Sequence, residues 1–303
     1  MRSKLSLAAL VVGMFLLVTA VLAQVWASSA LLKVPLDTDS TTRLAGTAVV
    51  GGEETPVKAY SYTRVDSAKS TDDVVVWETF SCLVKDVGEV DGCVEANDPD
   101  DRLITAGSDA FASDRTTGEA VNDPDVAPAG AEQKTGLINK WPFEAEKKSY
   151  QYWDSVMGQA VQADYDRTET LQGLDVYVYT VAVDDAPVQL TEDIDGTYTD
   201  RKEIWIEPLT GSIVNQTDQQ ERVDSDGNPF ISVDIAFTDE EVTESVDEAK
   251  SNVSKLNLVR KTVPIIGYVV GIPLLLVGVA LSLLARREEQ QPSEDDERTG
   301  VSV

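Results

Sequence analysis

Two long, uncharged, apolar segments lie near opposite ends of this chain and constrain its fold more than any other feature. The first runs from Leu5 to Ala23 and the second from Val263 to Ala285, which is 19 and 23 residues. Crossing the hydrocarbon core of a bilayer takes about 20 apolar helical residues. A helix of a soluble protein does not stay apolar on every face for so many turns. The sequence therefore predicts an N-terminal transmembrane anchor over 1–27 and a transmembrane helix over 263–285.

The first segment has a second interpretation. Arg2 and Lys4 followed by an apolar stretch are also typical of a secretory signal, and the small residues ending at Ala23 and Ala27 resemble cleavage sites. An apolar core of this length favours an uncleaved anchor over a removed signal. Both interpretations place the middle of the chain outside the cytoplasm.

The flanking charges predict the orientation. Two basic residues precede the first segment, and Arg286 and Arg287 directly follow the second. Cytoplasmic flanks of membrane spans are enriched in Lys and Arg. We therefore predict that both termini are cytoplasmic, that 28–262 is extracytoplasmic, and that 286–303 is an acidic, disordered cytoplasmic tail.

The part of the chain between the two apolar segments is strongly acidic. Residues 28–262 carry 47 of the 53 acidic and 20 of the 25 basic residues, a net charge of −27. Such a surface repels nucleic acid, so nucleic-acid partners are excluded. The acidity fits either solubility in a salty or exposed setting or binding of divalent cations. No Asp-x-Asp-x-Asp-Gly calcium loop is present, and Asn97–Asp101 is typical of a solvated turn.

The cysteine and histidine content limits the possible chemistry. Cys82 and Cys93 are the two cysteines and lie in a strand–turn–strand pattern, which in an exported domain predicts a disulfide. The chain has no histidine, which excludes Ser-His-Asp and Cys-His catalysis and makes a zinc site improbable. We predict no catalytic residues, no metal, no cofactor and no enzymatic activity, although a pair of carboxylates could still act as acid and base.

Short runs of β-branched and aromatic residues fill most of the middle of the chain. They alternate with turn signals, for example in the segment 204–214, where Pro208 and Gly211 predict a hairpin turn. The segment 95–135 is poor in large apolar residues and is predicted to be a loop excursion with one short helix or strand around Leu103 to Ala112. An apolar stripe with steps of three and four residues predicts an amphipathic helix at about 238–258. The predicted fold class is α+β, with a mainly antiparallel β extracytoplasmic domain between two transmembrane helices.

Aromatic residues are densest in one segment, whose five aromatic side chains fall within 13 residues: Trp141, Phe143, Tyr150, Tyr152 and Trp153. Aromatic rings offer a large contact area at a low cost in conformational entropy. One interpretation is a hydrophobic cluster that packs this segment onto the sheet. The other is a lining for a lipid or sugar ligand. These five residues are the candidate ligand-binding residues.

Several segments together resemble the actinobacterial porin PorA family of double-anchored envelope proteins. The matching segments include DDVVVWETF, TGLINKWPFEAEKKSYQYWD, GLDVYVY, IWIEPLTGSIVN and EEVTESVDEAKSNVSKL, and with the N-terminal anchor they cover nearly the whole chain. The resemblance implies a large outward domain between two spans and a role in handling envelope glycolipid. The resemblance identifies no catalytic residues in this chain, and the Cys82/Cys93 hairpin is not part of the family's sequence pattern.

The predicted function is that of a membrane-anchored extracytoplasmic binding or scaffold protein of the cell envelope, with a membrane lipid or glycolipid as ligand. The first alternative is a structural partner of another envelope membrane protein. The second is a pore. A β-barrel pore needs strands of about ten residues with an apolar, lipid-facing band, whereas the strand patterns here look short and broken by charges.

Overall fold

The computed structural model describes residues 2–191 and 193–289, so the segment 290–303 of the predicted cytoplasmic tail lies outside the described residues. It contains three α-helices and eleven β-strands. The helices are α1 (Arg2–Ala30), α2 (Asp239–Asn257) and α3 (Val263–Glu289), and a π-helical turn at Leu258–Thr262 lies between the last two. The strands are β1 (Asp39–Val50), β2 (Glu53–Val65), β3 (Val74–Lys85), β4 (Leu103–Asp114), β5 (Ala120–Val121), β6 (Tyr150–Asp154), β7 (Gln159–Leu171), β8 (Leu174–Thr191), β9 (Ile194–Ile206), β10 (Ile213–Asp224) and β11 (Pro229–Phe237).

All eleven strands form one curled sheet in which the strand pairs are antiparallel. The strand order is β5-β4-β3-β2-β1-β11-β10-β9-β8-β7-β6, so the N-terminal and C-terminal strands meet where β1 pairs with β11. The described helices at the two ends of the chain are apolar and the body between them is mostly antiparallel β, as the sequence predicted.

One detail of the sequence prediction was wrong. Eight of the strands have 12 residues or more, so the strands are not short as the sequence predicted. In the segment 95–135, the short helix or strand expected around Leu103 to Ala112 is the 12-residue strand β4, which is longer than predicted. Its residues Ala106, Gly107 and Ser108 carry little strand propensity. Pairing along the whole length of β3 outweighs that weak preference.

The chain divides into two compact units, residues 32–253 and the pair of terminal segments 1–31 and 254–303. In the first unit, the outer face of the sheet carries α2. Val246 and Ala249 of this helix pack on a cluster of apolar side chains from β8, β9 and β10: Leu174, Val176, Val178, Trp205 and Val214. Thr238 caps the helix by accepting a hydrogen bond from the backbone N–H of Glu241, which satisfies a free donor of the first turn.

The inner face is the one around which the sheet curls. Trp77 and Phe111, from strands near one edge, share a buried cluster with Trp153 of β6 at the opposite edge. Leu137 lies between the two edges and pairs with Glu119 on one side and Tyr152 on the other. Its N–H donates to the carbonyl of Gln151 at 2.7 Å, and its carbonyl accepts from the N–H of Trp153 at 2.9 Å. The residues around Leu137 therefore connect the two edges of the sheet.

The turn between β9 and β10 holds the next part of the same segment. The N–H of Trp141 donates to the carbonyl of Gly211, and the N–H of Ala145 donates to the carbonyl of Pro208. Within the turn, the carboxylate of Glu207 accepts from the N–H and hydroxyl of Thr210 at 2.7 Å each. The segment from Gly136 to Ala145, which we call the closing segment, is therefore fixed by backbone hydrogen bonds at both ends.

The predicted disulfide between Cys82 and Cys93 is confirmed, with a Cα–Cα distance of 5.8 Å. It attaches the loop after β3 to the outer face of β2 and β3. Val90 and Val94 of this loop pack beside Tyr60, and the Tyr60 hydroxyl donates to the carbonyl of Val90 at 3.2 Å. The role of the disulfide is to hold this loop on the sheet.

In the second unit, α1 and α3 pack against each other in antiparallel orientation through glycines. A Cβ added at Gly271 would lie 3.1 Å from the Gly13 carbonyl oxygen, and one at Gly267 would lie 2.5 Å from Cβ of Ala20. Small residues spaced by four let helix backbones approach closely, as in membrane helix pairs. The Tyr268 hydroxyl donates to Oε1 of Gln24 at 2.8 Å, which satisfies two polar groups between otherwise apolar helices.

Gly211 tests how much the contact of the closing segment contributes to stability. It has φ +71°, and an added Cβ would lie 2.0 Å from the Trp141 carbonyl oxygen. Gly173 is a matched control, because it has φ +82° with nothing within 4 Å of an added Cβ. We expect Gly173→Ala to lower the apparent Tm by about 2–4 °C and Gly211→Ala by about 6 °C or more, since only the second adds a clash to the backbone strain. Circular dichroism melts measure both, and equal losses would contradict the role of the contact.

Candidate functional site in the curled sheet

The five candidate aromatic residues lie on the inner side of the sheet in two packed clusters. Trp141 is fully buried, stacks on Tyr152 with ring centroids 5.1 Å apart, and contacts the tilted ring of Tyr179 at 5.0 Å. Tyr150 contacts Tyr179 edge-on at 5.8 Å. The other two candidates, Trp153 and Phe143, belong to the cluster around Trp77 and Phe111. Contacts with neighbouring side chains explain the position of these five aromatic rings. Their assignment as a lining for a ligand stays a prediction.

Three tyrosines that the sequence analysis did not select complete the first aromatic cluster. Tyr177 and Tyr179 lie on β8, and Tyr165 lies on β7 and contacts both rings edge-on. The Nζ of Lys147 lies 5.0 Å from the ring centroid of Tyr177. The alternation in GLDVYVY indicates which β8 residues share a face, but only the pairing of β7 with β8 brings Tyr165 to them.

Lys140 anchors the closing segment by its side chain. Its Nζ donates to the carbonyl of Thr210 at 3.2 Å and lies 3.7 Å from the ring centroid of Phe143. Burial lowers the pKa of Lys140 to about 7, although the nearby carboxylate of Asp114 acts in the opposite direction. The ammonium group of Lys140 therefore anchors the closing segment and is not available to bind a ligand.

A cluster of charged side chains lies on the inner face of β9 and β10. The Nζ of Lys202 lies 3.4 Å from a carboxylate oxygen of Asp200 and 3.2 Å from one of Asp218. Both carboxylates are buried, and neither oxygen of Asp200 has a hydrogen-bond partner. Next to them, Tyr198 donates to the carboxylate of Asp154 at 3.2 Å. We call these five residues the inner charged cluster.

The surroundings shift the titration of this cluster. Burial raises the pKa of Asp200 to about 7, the ammonium group of Lys202 opposes that rise, and the carboxylate of Asp218 adds to it. Burial also raises the pKa of Tyr198. Burial lowers the pKa of Lys202, but attraction to the two carboxylates more than offsets this effect, and the result lies above the usual value. The sequence gives no signal for this cluster, because its members come from three strands.

Apolar side chains continue the inner face beyond the charged cluster. In register, Lys202 is opposite Asp218, and Asp218 is opposite Ile235. From there the apolar residues extend over β11, β1, β2, β3 and β4: Ala48, Val57 and Leu83 are buried, and Val50, Ala59, Ile104, Val233 and Ile235 are half-buried. We call these eight residues the inner apolar strip. All of them lie on strands of the sheet, whereas the closing segment contributes Leu137, Trp141 and Ala145 to the other cluster.

A groove of about 660 Å³ lies elsewhere, across β2, β3 and β4 beside the segment 128–132. Its lining combines the aromatic residues Tyr62 and Phe80 with charged residues such as Arg64 and Glu78. None of the five predicted aromatic residues borders it. Arg64 and Glu78 are paired with each other at 2.5 Å. The groove and the predicted lining are therefore different places.

The pKa of Asp200 predicts how the stability of the body depends on pH. Asp200 keeps its proton up to about pH 7 in the folded protein but loses it near its ordinary pKa of 3.8 when unfolded. The stability associated with this group is therefore complete below pH 3.8, falls as pH rises, and is lost above pH 7. We expect Asp200→Asn to remove this decline, so that the difference in unfolding free energy between variant and wild type grows by a few kcal/mol from pH 4 to pH 7. Urea unfolding at several pH values measures it, and a difference independent of pH would contradict the assignment.

Comparison with known proteins identifies the family of this chain. A family model described as Porin PorA matches residues 5–280. A relative named Porin PorA from Corynebacterium amycolatum is 31% identical over 109 residues, covering 32% of this chain and 28% of that relative. The match therefore spans less than a third of the relative's own length.

Two solved structures are similar to this chain only at a low level. One is a DUF1329 family protein from Desulfovibrio piger, with 10% identity, 76% of this chain and 93% of the other chain covered, and a TM-score of 0.20. The other is a putative outer membrane lipoprotein-sorting protein domain from Vibrio parahaemolyticus, with 9% identity, 70% and 92% covered, and a TM-score of 0.19. Scores this low establish no common fold. The family model matches most of this chain, and the chain therefore belongs to the porin PorA family.

Proposed function

We propose that this chain is a membrane-anchored, extracytoplasmic binding protein of the cell envelope that holds a lipid or glycolipid on the inner face of its curled sheet. The observation that carries the proposal is the inner apolar strip beside the inner charged cluster. An apolar surface next to a few fixed polar groups is the usual composition of a site for an amphiphilic ligand. The ligand's chain would lie on the strip and its polar head near Lys202, Asp200 and Asp218.

The anchoring part of the proposal rests on the surfaces of α1 and α3. Both helices are long and apolar enough to cross a membrane by length and composition. Their large side chains outside the contact between them are exposed, for example Phe15 at 67% and Leu276 at 66%. Apolar surface of this extent is unfavourable in water and favourable in lipid. We place both helices in the membrane with Arg286 and Arg287 on the cytoplasmic side.

The size of the inner apolar strip supports a chain-like ligand. Its five half-buried residues retain exposed apolar surface, and the closing segment contributes no residue to this cluster. Burying such surface contributes about 25 cal/mol per Å² removed from water. An acyl chain laid across several strands can supply this burial without any movement of the sheet.

Charge narrows the choice of head group. The body carries a net charge of −27, and the inner charged cluster contains three carboxylates, those of Asp154, Asp200 and Asp218, beside Lys202. A strongly anionic head group would meet repulsion there. A neutral, hydroxyl-rich head such as a sugar can donate to the buried carboxylates, of which Asp200 offers two oxygens without a hydrogen-bond partner. We therefore favour a neutral glycolipid, and we propose binding without catalysis.

The family description favours pore formation as the second candidate function. The long strands remove one argument against a pore, since length no longer excludes a membrane-spanning sheet. The outer face of the sheet still carries charges on several strands, among them Arg43 on β1, Lys58 on β2 and Glu203 on β9. A lipid-facing sheet would need an apolar band there. A pore would therefore require an assembly of several copies, and conductance in planar bilayers tests it.

Lipid binding is testable with a pair of adjacent substitutions on β11. Val233 lies in the inner apolar strip, while the neighbouring Ser232 points to the opposite face. We expect Val233→Asp to lower the amount of lipid that copurifies with the full chain by roughly tenfold, because it places a charge under the acyl chain. Ser232→Asp should leave the amount unchanged. Native mass spectrometry after exchange into a mild detergent measures bound lipid.

A second variant distinguishes loss of lipid binding from misfolding of Val233→Asp. Ala59 is half-buried in the strip, and Ala59→Trp fills the strip with an apolar ring and adds no charge. It should also displace the lipid while keeping the β circular dichroism spectrum. Equal lipid in all variants, or none with the wild type, would contradict the proposed site.

Membrane topology is testable by labelling single cysteines in intact cells. Ser67 in the turn after β2 is exposed, and Ser67→Cys should react with a membrane-impermeant maleimide because the body is outside. A cysteine in place of Arg287 should react only after permeabilisation, because positive flanks stay in the cytoplasm. The native cysteines are joined in a disulfide and do not interfere. The reverse pattern would exclude the proposed orientation.

A further inference from the structure

One edge of the sheet has a long stretch of open backbone. Strand β4 pairs with β3 along nearly its whole length, from Leu103 to Asp114. On its other side, only Ala112 and Ser113 pair with β5. Among the described residues, the segment 103–110 has no strand partner on that side. An unpaired row of N–H and C=O groups is a template for another strand.

The devices that usually protect a strand edge are missing from this stretch. Residues 103–108 contain neither a charged residue nor a proline, and residues 105–109 are exposed. Asp109 is the next charge along the strand, and it is paired with Lys134 at 3.2 Å. By contrast, the edge strand at the opposite side, β6, is paired in part by Leu137 of the closing segment. One edge is covered and the other is left available.

We propose that the open edge of β4 is an interface with a second copy of this chain, formed by antiparallel β4–β4 pairing about Gly107. Antiparallel pairing of a strand with itself is self-complementary, because a twofold axis relates each residue i to a partner j and each j to an i. Pairing about Gly107 places Ala106 opposite Ser108 of the partner copy. It brings no acidic residue opposite another acidic residue between 103 and 111.

Electrostatics favours this edge over other parts of the body as the contact between copies. The body has a net charge of −27, so most approaches of two copies bring like charges together. The uncharged stretch 103–108 avoids that repulsion. Each residue pair added to an antiparallel ladder supplies backbone hydrogen bonds and needs no particular side chain. Gly107 has nothing within 4 Å of an added Cβ on its own chain, so the centre of the edge is open.

Disulfide crosslinking of the full chain in mild detergent tests the geometry. Gly107→Cys would lie opposite its own copy, at a Cα separation of about 4.5–5.5 Å that suits a disulfide. We expect a covalent dimer after mild oxidation. Gln219→Cys is the matched control, because it is exposed but lies on β10 between β9 and β11, and it should stay monomeric on a non-reducing gel.

A charge-swap pair separates this edge from any contact through the apolar helices. Ala106→Glu with Ser108→Glu places like charges opposite each other across the twofold axis and should weaken dimerisation by roughly tenfold or more. Ala106→Lys with Ser108→Glu places opposite charges there and should keep the dimer. Light scattering with correction for bound detergent measures the mass. A monomeric wild type, or a dimer that neither forms the Gly107→Cys crosslink nor responds to the two charge pairs, would overturn the proposal.

Discussion

The body of this protein depends on one interaction, the insertion of the closing segment between the two edges of a single curled sheet. Without it, an eleven-stranded sheet would keep two free edges and an uncovered inner face. Leu137 hydrogen-bonds to β6 and pairs beside β5, and the turn at Pro208–Gly211 holds the segment at its other end. Because these contacts use backbone groups, they fix the position of the segment and leave its side chains free to pack. Trp141 then fills the centre of the inner face.

This arrangement explains why the inner face has two different parts. The closing segment packs on β6 to β9 through Trp141 and on Trp77 and Phe111 through Ile138 and Phe143, and it does not contribute to the inner apolar strip. The inner charged cluster lies between them in register. A buried carboxylate such as Asp200, which lies beside Lys202 but has no hydrogen-bond partner, is costly for stability. Its position beside an apolar surface is the reason why we propose the inner face as the place for an amphiphilic ligand.

The sequence was sufficient for the features that depend on local patterns. The apolar terminal helices, the amphipathic α2, the hairpin turn at Pro208–Gly211 and the Cys82–Cys93 pair all follow from residue spacing within short windows.

The sequence was not sufficient for features that depend on register between distant strands. The strand β4 has weak intrinsic preference, so the sequence left open whether Leu103 to Ala112 forms a helix or a strand, and its pairing with β3 decides this. The inner charged cluster unites β6, β9 and β10, and no window of sequence contains it. The aromatic segment was recognised as important, and its structural role as the closing segment needed the two edges to be known.

Hydrogen–deuterium exchange of the full chain tests the central role of the closing segment most directly. The amides of Leu137, Trp141 and Trp153 donate to backbone carbonyls of other segments, and amides held in this way exchange only when that part of the fold opens. We expect these three amides to exchange as slowly as those in the middle of β8 and β9. Fast exchange at all three, with the strands still protected, would show that the segment is a loose loop and would contradict the account.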